Sequence, residues 1–186
     1  MRYWLLTSTT YGSWLPGDVR GSITSVRDYR PTDASTNSRI EHDVFGTPWE
    51  PPIPGLRRSA EALLKSPPVV LTLPQAEAAL AQFQETARFR SWRLLAAAIM
   101  TNHFHLVIGA TNDSQPRKML NDLKAYGSRA LNRRFGKTKS SRWWTSGGSK
   151  RWLRGERAVH NAIRYVIYKQ PNPLVTWFAK DATDIA

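Results

Sequence analysis

The order of elements that the sequence predicts, β-α-β-β-α-β, indicates an α+β domain. It would be built on a ferredoxin-like, split β-α-β antiparallel sheet with helices packed on one face. Three observations carry this expectation. An aromatic and β-branched run opens the chain. Two apolar, strand-like runs stand back to back around the short turn Thr101-Asn102. A long segment of helical periodicity lies on either side of that pair.

Each element has its own reason. Residues 2–11 (Arg2-Tyr3-Trp4-Leu5-Leu6-Thr7-Ser8-Thr9-Thr10-Tyr11) have strand composition, and Gly12 and Pro16 end the run. About residues 16–72 hold most of the prolines with little periodicity and read as an irregular insertion, with a short helix at 59–64. Leu73 and Pro74 open a helix through Phe89, proline being favoured at helix starts, and Leu80, Phe83 and Ala87 keep helical spacing. Residues 92–100 and 103–110 read as adjacent strands. A second helix runs from Pro116 to Phe135 and stops at Gly136. Residues 142–153 read as a hairpin or strand-loop segment, and residues 156–169 as a third helix closed by Pro171 and Pro173. At 186 residues the chain fits one domain, 1–186, interrupted by the insertion.

Composition narrows the function. With 41% hydrophobic residues and 11% aromatics the chain is not globally disordered. It has no cysteine, which excludes disulfides and thiolate metal sites. The start of the chain lacks a signal-peptide layout and no apolar run nears membrane-spanning length, so a cytoplasmic, nucleoid-associated protein is expected. Lys and Arg total 27 against 14 Asp and Glu, a formal charge of +13. Residues 111–160 hold 13 basic residues and 3 acidic ones. A polyanionic partner, nucleic acid, follows from that clustering.

The chemistry concentrates in residues 99–108, where His103 and His105 stand at i and i+2 in an apolar strand. Alternate strand residues share a face, so the two imidazoles lie side by side while Phe104 and Leu106 point the other way. The pair is either half of a divalent-metal site or two surface histidines.

The run Met100-Thr101-Asn102-His103-Phe104-His105-Leu106-Val107-Ile108 resembles the histidine-hydrophobic-histidine motif of the HUH single-strand nucleases. It is most similar to the IS200-type and REP-associated single-tyrosine transposases. A helix with one tyrosine follows, containing Leu123-Lys124-Ala125-Tyr126-Gly127-Ser128-Arg129-Ala130-Leu131-Asn132. A further match is Ile163-Arg164-Tyr165-Val166 leading to Asn172-Pro173-Leu174-Val175. The resemblance covers roughly residues 1–15 and 73–177. It implies a DNA endonuclease and strand transferase that needs a divalent metal, Mg²⁺ or Mn²⁺, and passes through a 5′-phosphotyrosine intermediate. Its substrate would be single-stranded or hairpin DNA, such as a REP element. Members act as monomers or as homodimers.

On the helix 116–135, Leu120, Leu123, Gly127 and Leu131 form an apolar stripe. Lys118, Asp122, Arg129 and Arg133 form the polar face, and Tyr126 falls on the border. Tyr126 reads as the nucleophile, or as an ordinary amphipathic tyrosine. In the resembled enzymes a third metal ligand sits one turn after the nucleophile; here that position is Ala130, which cannot ligate. Asp122, one turn before Tyr126, is the geometric substitute, an ion pair with Lys118 or Arg129 being the other reading. DNA contacts are expected from Lys124, Arg129, Arg133, Arg134, Lys137, Lys139, Arg142, Lys150, Arg151 and Arg154, with Trp144 as a stacking ring. At least one of Trp143, Trp144 and Trp152 should be buried. Gly147 and Gly148 allow close backbone approach to a phosphate. The alternatives are a domesticated, cleavage-dead hairpin-DNA binder and an RNA-binding module, although the aromatic signature of the latter is missing.

Overall fold

A computed structural model of the chain describes residues 1–19, 53–111 and 114–180. Five strands form one antiparallel sheet: β1 (Arg2–Thr9), β2 (Arg93–Ile99), β3 (His103–Ala110), β4 (Ser149–Leu153) and β5 (Val175–Phe178). Their spatial order is β4-β1-β3-β2-β5. Without β5 this is the order of the split β-α-β fold, and the two long helices α2 (Leu73–Phe89) and α3 (Pro116–Phe135) are its crossovers. A shorter helix α1 (Pro54–Ala62) precedes them, and α4 (Glu156–Tyr168) lies between β4 and β5. The short helix expected at 59–64 therefore begins at Pro54, which occupies a first-turn position.

The chain divides into two compact units. One comprises Met1–Ser13 with Pro68–Ala186, and the other is Trp14–Pro67. The second holds α1, which buries none of its residues and carries the Arg57–Glu61 pair one turn apart. Most of the expected insertion lies outside the described residues. Among the described residues no helix is long and apolar enough to cross a membrane.

The first unit has two apolar layers, one on each side of the sheet. Strand alternation sends Leu6, Phe104, Leu106 and Ile108 to one face, where Phe83, Leu120, Leu123 and Leu131 from α2 and α3 cover them. Leu5, Ala98, Val107 and Leu153 point to the other, where Val159, Ala162 and Val166 of α4 pack on them. The sequence placed helices on one face only; α2 and α3 conform, and α4 is the addition. A bulge in β2 between Leu94 and Ala96 turns Leu95 and Ala96 toward the α4 side together. Apart from Arg93 and His103, β2 and β3 are buried throughout, whereas β4 and β5 are edge strands with mostly open side chains.

Local signals place the helix ends. The Thr72 amide donates to Gln75 Oε1 at 2.9 Å at the start of α2. Gly136 ends α3 at φ 79°, a conformation that L side chains rarely adopt.

Candidate active site

The turn that delivers His103 is held from β1. The Asn102 carbonyl accepts the Thr10 amide at 2.8 Å and the Ser13 hydroxyl at 3.0 Å, and the Met100 amide closes the turn on the His103 carbonyl at 2.8 Å. Strand register then sets Thr9 opposite His103 and Thr7 opposite His105. Partners in an antiparallel pair share a face, so the two histidines and the two threonines form one polar patch on the α4 side.

Within the patch the rings of His103 and His105 lie 5.0 Å apart, edge to face. His103 Nδ1 hydrogen-bonds Asn102 Oδ1 at 2.6 Å, and His105 Nδ1 shares a hydrogen bond with the Thr7 hydroxyl at 2.7 Å. Both rings are held through Nδ1, the arrangement that elsewhere orients metal-binding histidines to ligate through Nε2. Burial, helped by the neighbouring His103, lowers the His105 pKa from 6.5 to about 4, while a hydrogen bond to the Gln170 side chain, which favours the protonated ring, opposes the shift. His105 is therefore neutral near pH 7 and available as a ligand.

Tyr165, on α4, completes the constellation. Its ring lies 5.5 Å from that of His105, and the residue is 43% exposed. Gln170 follows the helix; its Nε2 donates to the Tyr165 carbonyl at 3.1 Å, and its carboxamide also reaches His105. Among the described residues no three His, Cys, Asp or Glu side chains converge as a metal site. The Gln170 carboxamide is the other polar side chain that reaches His105. Two imidazoles and a carboxamide oxygen are a donor set that suits a small divalent ion.

Hydroxyls extend the patch toward β4. Thr9 Oγ1 meets Thr145 Oγ1 at 2.9 Å, and Ser149 pairs with Thr7 across the β1–β4 ladder. Arg151, two residues on from Ser149, points to the same face and is exposed.

The structure does not bring Tyr126 to the histidines. Tyr126 sits on α3, whose apolar stripe packs against Phe104 and Leu106 from the other side of the sheet. Its ring lies under Arg129, 5.0 Å from the guanidinium carbon. Asp122 stays with it, ion-paired to both Arg90 and Lys118 at 3.0 Å, which is the salt-bridge reading. Ala130 lines an open groove of about 360 Å³ between α2 and α3 with Ala78, Ala81 and Gln82, so its inability to ligate has no bearing on the histidine site.

Two of the expected DNA contacts are structural. Trp144 is 5% exposed and packs edge-on against Phe104 at 5.1 Å, so it cannot stack on a base. Lys124 Nζ donates to the carbonyls of Thr145 at 2.5 Å and Gly147 at 2.7 Å, and burial beside Lys150 lowers its pKa to about 8. Trp143 is buried as well, its indole donating to Asn132. Gly148, at φ 137°, passes so close to the Thr7 carbonyl and Leu120 that a Cβ has no room, so its glycine serves loop packing.

The other cations are dispersed. Arg133 reaches Gln82 at 3.5 Å, Arg134 lies over Phe135, and Lys137, Lys139 and Arg142 are exposed in the segment after α3. Lys150 donates to the Gly148 carbonyl, and Arg154 stacks on Trp152.

The sequence signal for placing Tyr165 near the histidines was present in Ile163-Arg164-Tyr165-Val166 together with the parity of the sheet. Crossover helices of a split β-α-β sheet share one face, and the burial of Phe104 and Leu106 assigns that face to them. The histidines must then meet a helix outside the crossovers.

A family model described as "Transposase IS200 like" matches residues 65–157, half of the chain. No curated protein matches. Among solved structures the chain is similar to a REP-associated tyrosine transposase bound to a REP hairpin. The identity is 10%, the TM-score 0.47, and the match covers 89% of this chain and 64% of that one. The chain thus spans less than two thirds of that protein's length.

Proposed function

Because the chain belongs to the IS200-like transposase family, we propose that it is a metal-dependent endonuclease and strand transferase for single-stranded, hairpin-forming DNA. Tyr165 is the nucleophile, and His103, His105 and Gln170 hold the metal. The observation that supports this reading is the Tyr165 ring, exposed and 5.5 Å from His105.

A bound Mg²⁺ or Mn²⁺ would polarise the scissile phosphate and offset the charge that builds on it. The protein groups do the rest. Tyr165 Oη attacks phosphorus in line and gives up its proton. The bond from phosphorus to the 3′ oxygen breaks, and that oxygen leaves as a hydroxyl. The 5′ phosphate stays on the tyrosine. The phosphotyrosine ester retains the energy of the cleaved bond, so attack by another 3′-hydroxyl rejoins DNA without ATP and frees Tyr165. Asn102 and Thr7 keep the imidazoles fixed throughout, which limits reorganisation in the transition state. Thr9, Thr145, Ser149 and Arg151 offer hydrogen bonds to phosphate oxygens along the strand. The charge of +13 draws the substrate in.

The cleavage-dead alternative rested on Ala130, which lies away from the histidines. An RNA-binding module would need an open sheet face, and β2 and β3 are buried on both sides.

The test is a denaturing protein gel with labelled hairpin DNA drawn from the flanks of the protein's own gene, with Mg²⁺ or Mn²⁺. Wild type and Tyr126→Phe should form a covalent band, and Tyr165→Phe and the His103→Ala/His105→Ala double variant should not. An undiminished band from Tyr165→Phe would overturn the reading.

A further inference from the structure

At the far end of β4, on the face away from the histidines, three side chains form a site with no part in the mechanism above. Trp152 is 43% exposed on an edge strand. The Arg154 guanidinium lies 4.4 Å from its ring centre and that of Arg2 5.6 Å away, while the Trp4 ring supports it at 6.2 Å. Strand register assigns Arg2, Trp4 and Trp152 to the α2/α3 side. Lys150 shares that face, and neither arginine forms an ion pair with a carboxylate among the described residues.

We propose that Trp152, Arg154 and Arg2 form a second DNA site, a platform on which an unpaired base of a single-stranded flank stacks while the arginines take the adjacent phosphates. An indole in water among uncompensated cations is costly to leave bare, and the guanidiniums cover it in the free protein. An exposed cation–π contact is weaker than a base stacked on tryptophan, so an incoming base takes the ring from Arg154, which moves to the neighbouring phosphate. Stacking tolerates any base, so this site would hold the strand without reading it. The proposal rests on the reading of the chain as a single-strand DNA protein, but not on Tyr165 chemistry.

The experiment uses the full chain in the Tyr165→Phe background with chelator present. Fluorescence anisotropy follows binding of labelled oligothymidylate and of a blunt duplex of equal length, with thermal melting as the check on folding. Trp152→Ala should weaken oligothymidylate binding roughly tenfold, Trp152→Phe should hold it within about threefold, and duplex binding should be unchanged. Equal affinities for wild type and Trp152→Ala would overturn the platform. So would an equal loss on the duplex, which would reduce the site to a basic patch, or tighter Trp152-dependent binding of oligouridylate, which would make it an RNA site. A covalent adduct formed by the Tyr165→Phe protein once Mn²⁺ replaces the chelator would instead overturn Tyr165 as the nucleophile and leave this result standing.

Discussion

The two faces of β3 differ in what they can tolerate. On one, Phe104, Leu106 and Ile108 are sealed by α2 and α3 into a continuous apolar layer. On the other, Val107 is sealed by α4, but His103 and His105 sit beside Thr7, Thr9 and an exposed tyrosine. Each face meets a helix that carries a tyrosine, and the chemistry depends on which face that is. Tyr126 has an arginine over its ring and Tyr165 has an imidazole against it. On the proposed reading the nucleophile follows sheet parity, whereas order along the chain favours Tyr126.

Substitutions sharpen the contrast. The largest effect is all-or-none: Tyr165→Phe removes the attacking atom and should abolish the covalent adduct, while Tyr126→Phe should leave its rate nearly unchanged. Next is stability. Phe104 is fully buried between Phe83 and Trp144, so Phe104→Ala should cost about 3–5 kcal/mol in denaturant unfolding. His103→Ala, at the edge of the other face, should leave the fold intact by the same measurement.

The metal gives a smaller signal. Mn²⁺ at a hundredfold its Kd should stabilise the protein by about 2.7 kcal/mol, read as a raised Tm, and the His103→Ala/His105→Ala variant should not respond. A rise of equal size in the variant would place the ion elsewhere.

The smallest effect is on stability in mild acid, near pH 5.5, without metal. Folding lowers the His105 pKa from 6.5 to about 4, so between those values the unfolded chain binds the extra proton. Stability should fall as pH drops below 6.5, by at most about 1.4 kcal/mol at about pH 5.5, and level off below pH 4. His105→Gln should lose that part of the slope.

Much of this molecule was legible in the sequence. Periodicity and proline and glycine signals placed α2 and α3 at their observed bounds, and the period of two put both histidines on one face. The strand β5 was missed because four residues carry too little alternation, although Val175-Thr176-Trp177-Phe178 has strand composition. Trp144 reads like Trp152 in sequence, each lying among cations; only packing against Phe104 shows that one is core and the other surface. Gln170 gave no signal because its reach to His105 depends on where α4 crosses the sheet.

The most direct measurement of the central claim is the identity of the DNA-linked residue. The covalent complex would be trapped with metal and digested with trypsin, and the DNA-bearing peptide sequenced by fragmentation mass spectrometry. The account predicts the nucleotide on Tyr165, in the peptide that follows Arg164 and ends at Lys169. A nucleotide on Tyr126, in the peptide ending at Arg129, would contradict it.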